Sequence, residues 1–538
     1  DDATATIDVE DDDAAIVYTK IHEIQGSGTA SPLVGQTVTI QGIVVGDYDE
    51  SGEMGGFFVQ EETTDEDGNA ATSEGIFVFC GSSCSTTSIG NLVTVQGTVT
   101  EFNGLTELGN VSSITVNDSS NQLSSITPAV ISFPQSSTSD LEAYEGMFVQ
   151  ISTDMRVTEY FNFDRFSEIR VWNDGSGAER PMQYTQVNTP DATGYAQAEV
   201  DFAAASVLLD DGSNSQNVGK VFPQSSGVPI FGNASFNPGT PDGGFRGGDI
   251  IRNIEGVMGY SFNAYRIYIS DPSAGTATDG DAFDLTVSSE NPRPSAPNPG
   301  GSLRVASFNV LNFFTTLDNG SDICGPAQNQ ECRGADNSTE YDRQLTKIVN
   351  ALAELDADIV GLIELENNVA ASPAGDGTDP VLEALVTALN AQSGRTYSFV
   401  DAGVIGTDAI KVAFIYDVNT VNLVSDPATL TSAVDSRFID TKNRPALAQT
   451  FEEAATGGVF TVVVNHLKSK GSACDDVSDP DLDDGAGNCN LTRTAAAQAL
   501  VDWLATDPTS SGDEDFLIIG DLNSYAMEDP IMAIRAGS

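Results

Sequence analysis

No apolar run in this chain approaches the ~20 residues that a membrane-spanning helix requires, so it reads as a soluble protein. Lysine is scarce. Lys and Arg together number 23 against 79 Asp and Glu, a formal charge of −56 over 538 residues. Such self-repulsion favours solubility and weakens non-specific adhesion to nucleic acid. No Cys-x-x-Cys pair is followed by His or by a second such pair, which argues against a zinc site of the ribbon or finger kind. Histidine is rarer still: His22 and His466 are the only two. The chain opens at Asp1 with neither Met nor a signal-type apolar stretch, the pattern of a processed or trimmed protein.

What is abundant is carboxylate. A saline extracellular setting would screen it over ~8–10 Å, and some carboxylates would bind Ca²⁺. The length predicts two to four domains. Six cysteines fall in three close couples, Cys80/Cys84, Cys324/Cys332 and Cys474/Cys489. Of the connectivities open to six cysteines, pairing within each couple is the simplest, and an even count of loop cysteines points to an oxidising compartment.

Residues 1–20 form an acidic, patternless linker. From 21 to 127 short β-rich runs (Val38–Val45, Gly56–Gln60, Gly75–Phe79, Leu92–Gly97) alternate with Gly and polar turns, which predicts an OB-like barrel. Residues 128–290 read as a second β-rich domain, OB-like but elaborated, with clear strands at Met147–Ile151 and Arg266–Ile269. The Pro/Gly/Ser run at 291–302 is a linker. From 303 to 538 the pattern turns α/β. A strand at Leu303–Val310 precedes a helix with apolar positions Leu345, Ile348, Leu352 and Leu355. Strands ending at Glu364, Asn465 and Asp521, a strand at Val412–Tyr416, and helices near Val381–Leu389 and Thr494–Leu504 follow.

The strands of this last region end in polar residues of one chemical type. Ile359–Ile363 runs into Glu364, Val462–Val464 into Asn465-His466, and Phe516–Ile519 into Gly520-Asp521-Leu522-Asn523. Asn309 follows the first strand. If these strands share a sheet, their ends converge at one edge. Glu364 would then coordinate Mg²⁺ or Mn²⁺ through oxygen. Asp521 would bind metal or orient the attacking water, and Asn309 and Asn523 would position phosphate oxygens. His466 would protonate the leaving oxygen, and Arg444 would hold a phosphate. Lys468 and Lys470 add two of the chain's scarce lysines to the same stretch.

Ser307-Phe308-Asn309-Val310, Asp358 to Glu364, Asn465-His466-Leu467-Lys468-Ser469-Lys470 and Gly520-Asp521-Leu522-Asn523 resemble the endonuclease/exonuclease/phosphatase, or deoxyribonuclease I-like, superfamily. The Asn-His-Leu-Lys-Ser-Lys and Glu364-Leu365-Glu366-Asn367 versions resemble the ExeM/NucH-type extracellular endonucleases in particular. The resemblance implies an αββα four-layer sandwich. It implies Glu364 as metal ligand with Asn309 beside it, His466 as the acid-side imidazole and Asp408 as the carboxylate that orients it. Arg444 would be a phosphate contact, and Asp521 and Asn523 the central Asp-x-Asn pair. The family's last motif, an Asp-His pair, would follow Asn523, yet none of the 15 remaining residues is His. The expectation is therefore a domain incomplete at its C-terminus, with little or no nuclease activity in the chain as it stands.

The loop Asp475–Asn488 carries six Asp residues and would be closed by Cys474–Cys489, a setting that suits a structural Ca²⁺. The leading expectation is a secreted endonuclease, free or held at the cell surface by a segment beyond Ser538. It would depend on a divalent metal and hydrolyse extracellular DNA and, secondarily, RNA. A phosphatase or phospholipid phosphodiesterase on the same scaffold is the alternative. A non-enzymatic matrix or filament protein with a degenerate nuclease domain is a third.

Overall fold

The structure, a computed structural model, describes residues 17–49, 52–81, 87–214, 216, 247–269, 284–286, 291, 294–295, 297–368 and 378–537. Most of the acidic linker and Cys84 lie outside them. The chain divides into two units: residues 1–181 with 197–295, and residues 182–196 with 296–538. The short segment 182–196, expected within the second β-rich region, thus belongs with the C-terminal unit. There Met527 donates its backbone N–H to the Thr185 carbonyl at 3.0 Å, and Thr185 Oγ1 donates to the buried Glu528 at 2.6 Å.

In unit 1 the short helix α1 (Ile21–Gln25) precedes five strands, β1 (Thr37–Tyr48), β2 (Gly56–Gln60), β3 (Gly75–Phe79), β4 (Leu92–Phe102) and β5 (Leu105–Asp118). They close into a barrel in the order β1-β2-β3-β5-β4, β1 returning to pair with β4. Alternation fills it: Ile40, Val44, Phe57, Val59, Ile76, Val78, Val95 and Leu108 point into one core. β5 has no clean apolar run, so the sequence pattern does not mark it off. The strands that follow are β6 (Ala129–Ile131), β7 (Phe148–Ile151), β8 (Met155–Glu159), β9 (Ile169–Trp172), β10 (Ser206–Asp210), β11 (Ile250–Arg252), β12 (Glu255–Ser261), β13 (Ala264–Ile269) and β14 (Asp284–Thr286). Among the described residues these nine join one sheet, in the order β14-β11-β8-β9-β10-β13-β12-β7-β6, in the region expected as a second β-rich, OB-like but elaborated domain. The apparent single run Ile250–Met258 is two strands, because Asn253 turns the backbone left-handed between them, with φ 53°. Helix α2 (Phe163–Phe166) lies in a connection of unit 1, while α3 (Tyr184–Val187) and the start of α4 (Ala192–Ala204) fall in the 182–196 segment that belongs to unit 2.

Unit 2 carries two four-stranded sheets. The first orders β15 (Val305–Phe313), β18 (Ile359–Glu366), β20 (Ile410–Asp417) and β19 (Tyr397–Phe399); the second orders β21 (Val421–Leu430), β22 (Arg444–Glu453), β23 (Val459–His466) and β24 (Phe516–Asp521). A two-stranded ribbon, β16 (Asp322–Cys324) with β17 (Gln330–Glu331), stands apart. The helices are α5 (Ser338–Leu355), α6 (Pro380–Gln392), α7 (Asn490–Leu504) and α8 (Asp529–Gly537). α5 starts where Asn337 accepts from the Glu340 N–H at 3.1 Å. α6 starts at Asp379, whose side chain accepts from the Leu382 N–H, and Pro380, which has no N–H to satisfy, stands in its first turn.

The period of two in β18 sorts its side chains between two cores. Val360 and Leu362 pack with Ile348 and Leu352 of α5 and Leu385 of α6, while Ile359 and Ile363 pack with Phe414, Leu447, Phe451 and Val464. A third cluster seats Ala496, Leu500 and Leu504 of α7 on Ala448 and Val463. Each fully buried side chain of this kind contributes about 1.5–3 kcal/mol. At Gly361 the sheets approach so closely that a Cβ would stand 2.5 Å from Ile519 and 3.0 Å from Val464. Disulfides join Cys324 to Cys332 and Cys474 to Cys489. Among the described residues no helix is long and apolar enough to cross a membrane.

Candidate active site

Strand register brings the polar residues together. In the second sheet Arg444 of β22 stands opposite His466 of β23, and His466 opposite Asp521 of β24. In the first sheet Asn309 of β15 pairs with Ile363, one residue before Glu364. The two sets meet at Asn309: its Nδ2 donates to Glu364 Oε1 at 3.0 Å and lies 3.4 Å from Asp521 Oδ2. His466 Nε2 lies 3.9 Å from Glu364 Oε1.

The backbone departs from extended geometry at this spot. Glu364 has φ 68°, Leu311 φ 53°, Asn312 φ 54° and Asn523 φ 46°. Left-handed non-glycine residues cost energy and persist where surrounding bonds hold them. Here Asn309 Oδ1 accepts from the Leu311 N–H at 2.9 Å, and Glu364 Oε2 from the Asn312 N–H at 3.2 Å. Asn523 Nδ2 donates to the Leu467 carbonyl at 2.9 Å, and its N–H to Asp521 Oδ1 at 3.0 Å. Gly520 has φ 127°, and a Cβ there would meet the Asn465 carbonyl at 2.1 Å, so β24 can lie this close to β23 only with glycine.

His466 is buried, and its Nδ1 has no hydrogen-bond partner among the described residues. Burial, then the Arg444 charge, lower its pKa to about 4, against the pull of Asp521, Glu364 and Asp408. The imidazole is therefore neutral at pH 7. Asp408, expected to orient it, is engaged elsewhere. Its Oδ2 accepts from Arg444 Nε at 3.0 Å, and its Oδ1 lies 3.3 Å from Arg333, the residue after Cys332. Asp408 thus fixes a guanidinium that faces the imidazole. Arg444, expected as a phosphate contact, stands opposite His466 and donates through Nε to Asp408.

Several neighbours had no role assigned from sequence. Asn367 donates to the carbonyls of Ile405 and Asp408 at 2.7 and 2.9 Å, holding the Asp408 loop. Glu366 Oε2 accepts from Thr315 N and Oγ1, both at 2.8 Å, fixing the chain after β15. Buried Arg493 donates to the carbonyls of Lys468, Asn488 and Ala486 and to Ser524 Oγ, tying the His466 and Asp521 segments to the acidic loop. Glu366 and Asn367 stand in the Glu364-Leu365-Glu366-Asn367 motif quoted for the resemblance but carried no role there, and Arg493 shows in the sequence only as a polar residue beside an apolar run.

A cleft of 770 Å³ opens along Ser307, Asn309, Ser469, Lys470, Asp521 and Tyr525. Lys470 Nζ lies 4.7 Å over the Tyr525 ring and is paired with Glu528, while Lys468 Nζ donates to Ser472 at 2.6 Å. The carboxylates of Glu364 and Asp521 converge on Asn309 Nδ2 and form a hard-oxygen donor pair, while the Asn309 amide oxygen is engaged by the Leu311 N–H. That pair fits Mg²⁺ or Mn²⁺.

Four of the six aspartates in the acidic loop are engaged by other groups of the protein. Asp479 accepts from the N–H groups of Leu491 and Thr492 at the start of α7, Asp481 and Asp484 accept within turns, and Asp476 pairs with Lys442 at 2.7 Å. These bonds give the carboxylates a structural use without Ca²⁺.

Residues 306–535 match the model of the Endonuclease/Exonuclease/phosphatase family. The chain therefore contains an endonuclease/exonuclease/phosphatase domain over that span. No curated protein matches the chain. Among solved structures it is similar to the human Nocturnin catalytic domain with bound sulfate, at 18% identity over 43% of this chain and 67% of that one, TM-score 0.26. It is similar to a Bacteroides thetaiotaomicron mannosyl-6-phosphatase at 17% identity over 44% and 70%, TM-score 0.28. A Bacteroides vulgatus endonuclease/exonuclease/phosphatase protein matches at 16% identity over 44% and 70%, TM-score 0.27.

Proposed function

We propose that unit 2 is a divalent-metal-dependent phosphodiesterase acting on nucleic acid, DNA first and RNA second, in an extracellular, oxidising compartment. The observation that carries this reading is the meeting of Glu364, Asn309 and Asp521 at hydrogen-bond range, with His466 and Arg444 registered beside them. The family match over 306–535 supports a phosphoesterase. Two sheets backed by helices on both outer sides agree with an αββα layering, and the strand order of the unit 1 barrel agrees with an OB reading. The two disulfides suit an oxidising compartment.

When bound, Mg²⁺ or Mn²⁺ supplies positive charge to a phosphoryl oxygen. Glu364 and Asp521 would hold it, with Asn309 bracing both. Arg444, steadied by Asp408, would bind a second phosphate oxygen. His466, neutral at rest, would accept or share a proton at Nε2, and the charge of a bound phosphate would raise its basicity. One imidazole serves the described site where an acid–base pair would use two, and each such partner is worth about 10²–10⁴-fold. Turnover by this chain should therefore be slow.

An aromatic pocket in unit 1 favours a polymer over a small phosphate ester. It has a volume of 470 Å³ and is lined by Phe77, Phe79, Phe102, Tyr260 and Phe262 among others. Flat rings stack on bases whatever their sequence. The test is stoichiometric protein with supercoiled plasmid, single-stranded RNA, sphingomyelin or sugar phosphate, each with Mg²⁺. Slow plasmid nicking that disappears in Glu364→Gln supports the reading. Turnover of a phosphomonoester or lipid alone refutes it.

A further inference from the structure

We propose that the unit 1 barrel holds a divalent cation of the zinc or manganese class between His22, Asp67 and Glu74, with Glu61 beside them. The four side chains come from three segments that the barrel draws together. His22 lies on α1, Glu61 follows β2, and Glu74 precedes β3. Gln60 pairs with Gly75 at the end of the β2–β3 ladder, and the Glu61 N–H bonds the Glu74 carbonyl at 2.9 Å, so the two glutamates form the next cross-strand pair. Both are buried, at 2% and 4% exposure. Like charges directly opposite on neighbouring strands repel, and burial makes the pair costlier.

Both carboxylates aim at one atom. His22 Nδ1 lies 2.9 Å from Glu61 Oε2 and 3.0 Å from Glu74 Oε2. A ring nitrogen carries at most one hydrogen, so it cannot give each oxygen a full bond, whereas a cation there would engage both. Donor atoms of His22, Asp67 and Glu74 all fall within 4.8 Å of one another. Asp67 is fixed by the Asn69 N–H at 2.6 Å and by Thr72 Oγ1 at 3.1 Å, and its own N–H donates to Glu74 Oε1 at 3.2 Å. The adjacent amine, Lys20, is paired at the surface with Asp65 at 2.6 Å. One imidazole with several carboxylates is a donor set for Zn²⁺ or Mn²⁺; Mg²⁺ and Ca²⁺ favour oxygen alone. The ion would pin α1 to the β2–β3 end of the barrel.

The chain's two histidines make the test direct, because each reports a different site. Full-length protein is stripped with chelator and titrated with Zn²⁺ while the imidazole ¹⁵N resonances are followed. Glu364→Gln is used as the background so that the unit 2 site is silenced. The expected result is a shift of the His22 Nδ1 resonance that saturates at one Zn²⁺ per chain. With it, the thermal transition of unit 1 rises, and both effects are lost in His22→Gln and in Glu74→Gln. A His22 Nδ1 resonance unmoved by excess Zn²⁺ and unbroadened by Mn²⁺ overturns the proposal without reference to any unit 1 variant. So does an unchanged ion count in a folded His22→Gln.

Discussion

Arg444 Nε donates to Asp408 Oδ2 at 3.0 Å, and the same arginine stands opposite His466 across the β22–β23 ladder. Asp408 thus acts on the imidazole through charge and through Arg444. In Asp408→Asn the guanidinium loses its charged partner, worth about 1.5–3 kcal/mol for a bond between charged groups. Weaker substrate binding is expected, with KM raised roughly 10-fold or more and kcat changed less. The His466 pKa should fall further, since the Asp408 charge raises it. A fall in kcat alone, with KM unchanged, would instead indicate direct orientation of the ring.

The two imidazoles should titrate on opposite sides of the ordinary value. Burial and Arg444 bring His466 down to about 4. Burial alone would also lower His22, but its hydrogen bonds to Glu74 and Glu61 and their charges raise it. The signs for stability follow. His466 contributes stability that is full above about 6.5 and is lost as pH falls towards 4. His22 in metal-free protein contributes stability that is full below about 6.5 and is lost as pH rises through its folded value. Proton NMR of the ring C–H signals from pH 3 to 9 checks both.

The buried pair Lys411–Asp379 carries a stability prediction. Both side chains are 2% exposed, Lys411 also bonds the Gly403 carbonyl at 2.9 Å, and Asp379 caps α6. Lys411→Ala leaves a buried carboxylate unpaired, so a loss of about 3–5 kcal/mol is expected by denaturant unfolding.

Opening the Cys474–Cys489 bridge releases a loop whose carbonyls hold Arg493. A closed loop of this size is worth about 3 kcal/mol. In Cys474→Ser/Cys489→Ser, unfolding should come earlier by about that amount, and proteolysis should begin within residues 475–488.

Much of unit 2 was legible because its strands are short apolar runs ending in Gly, Asp, Asn or His, and its helices carry apolar residues three and four apart. Gly56–Gln60 and Gly75–Phe79 were read to the residue. β21 and β22 were not read. β22 carries Pro445 at its start, where the pairing register slips, and β21 mixes Asn, Ser, Asp and Pro with its apolar residues, so neither shows a clean period of two. The residues that gather round Asn309 were legible as strand ends. The engagement of Asp408 with Arg444 and Arg333, and the work of Glu366, Asn367 and Arg493, depend on loops that meet only in three dimensions. His22, to which the sequence assigned no role, lies against Glu61 and Glu74, 39 and 52 positions away.

The central claim is that Glu364, Asn309 and Asp521 form a metal-binding phosphodiesterase site beside His466. The most direct measurement is Mn²⁺ titration of the full-length chain read on the His466 ring signals. These should broaden at low Mn²⁺ in the wild type and remain sharp in Glu364→Gln and Asp521→Asn, whatever the His22 signals do. His466 signals that stay sharp in the wild type at excess Mn²⁺, or that broaden equally in both variants, would contradict it.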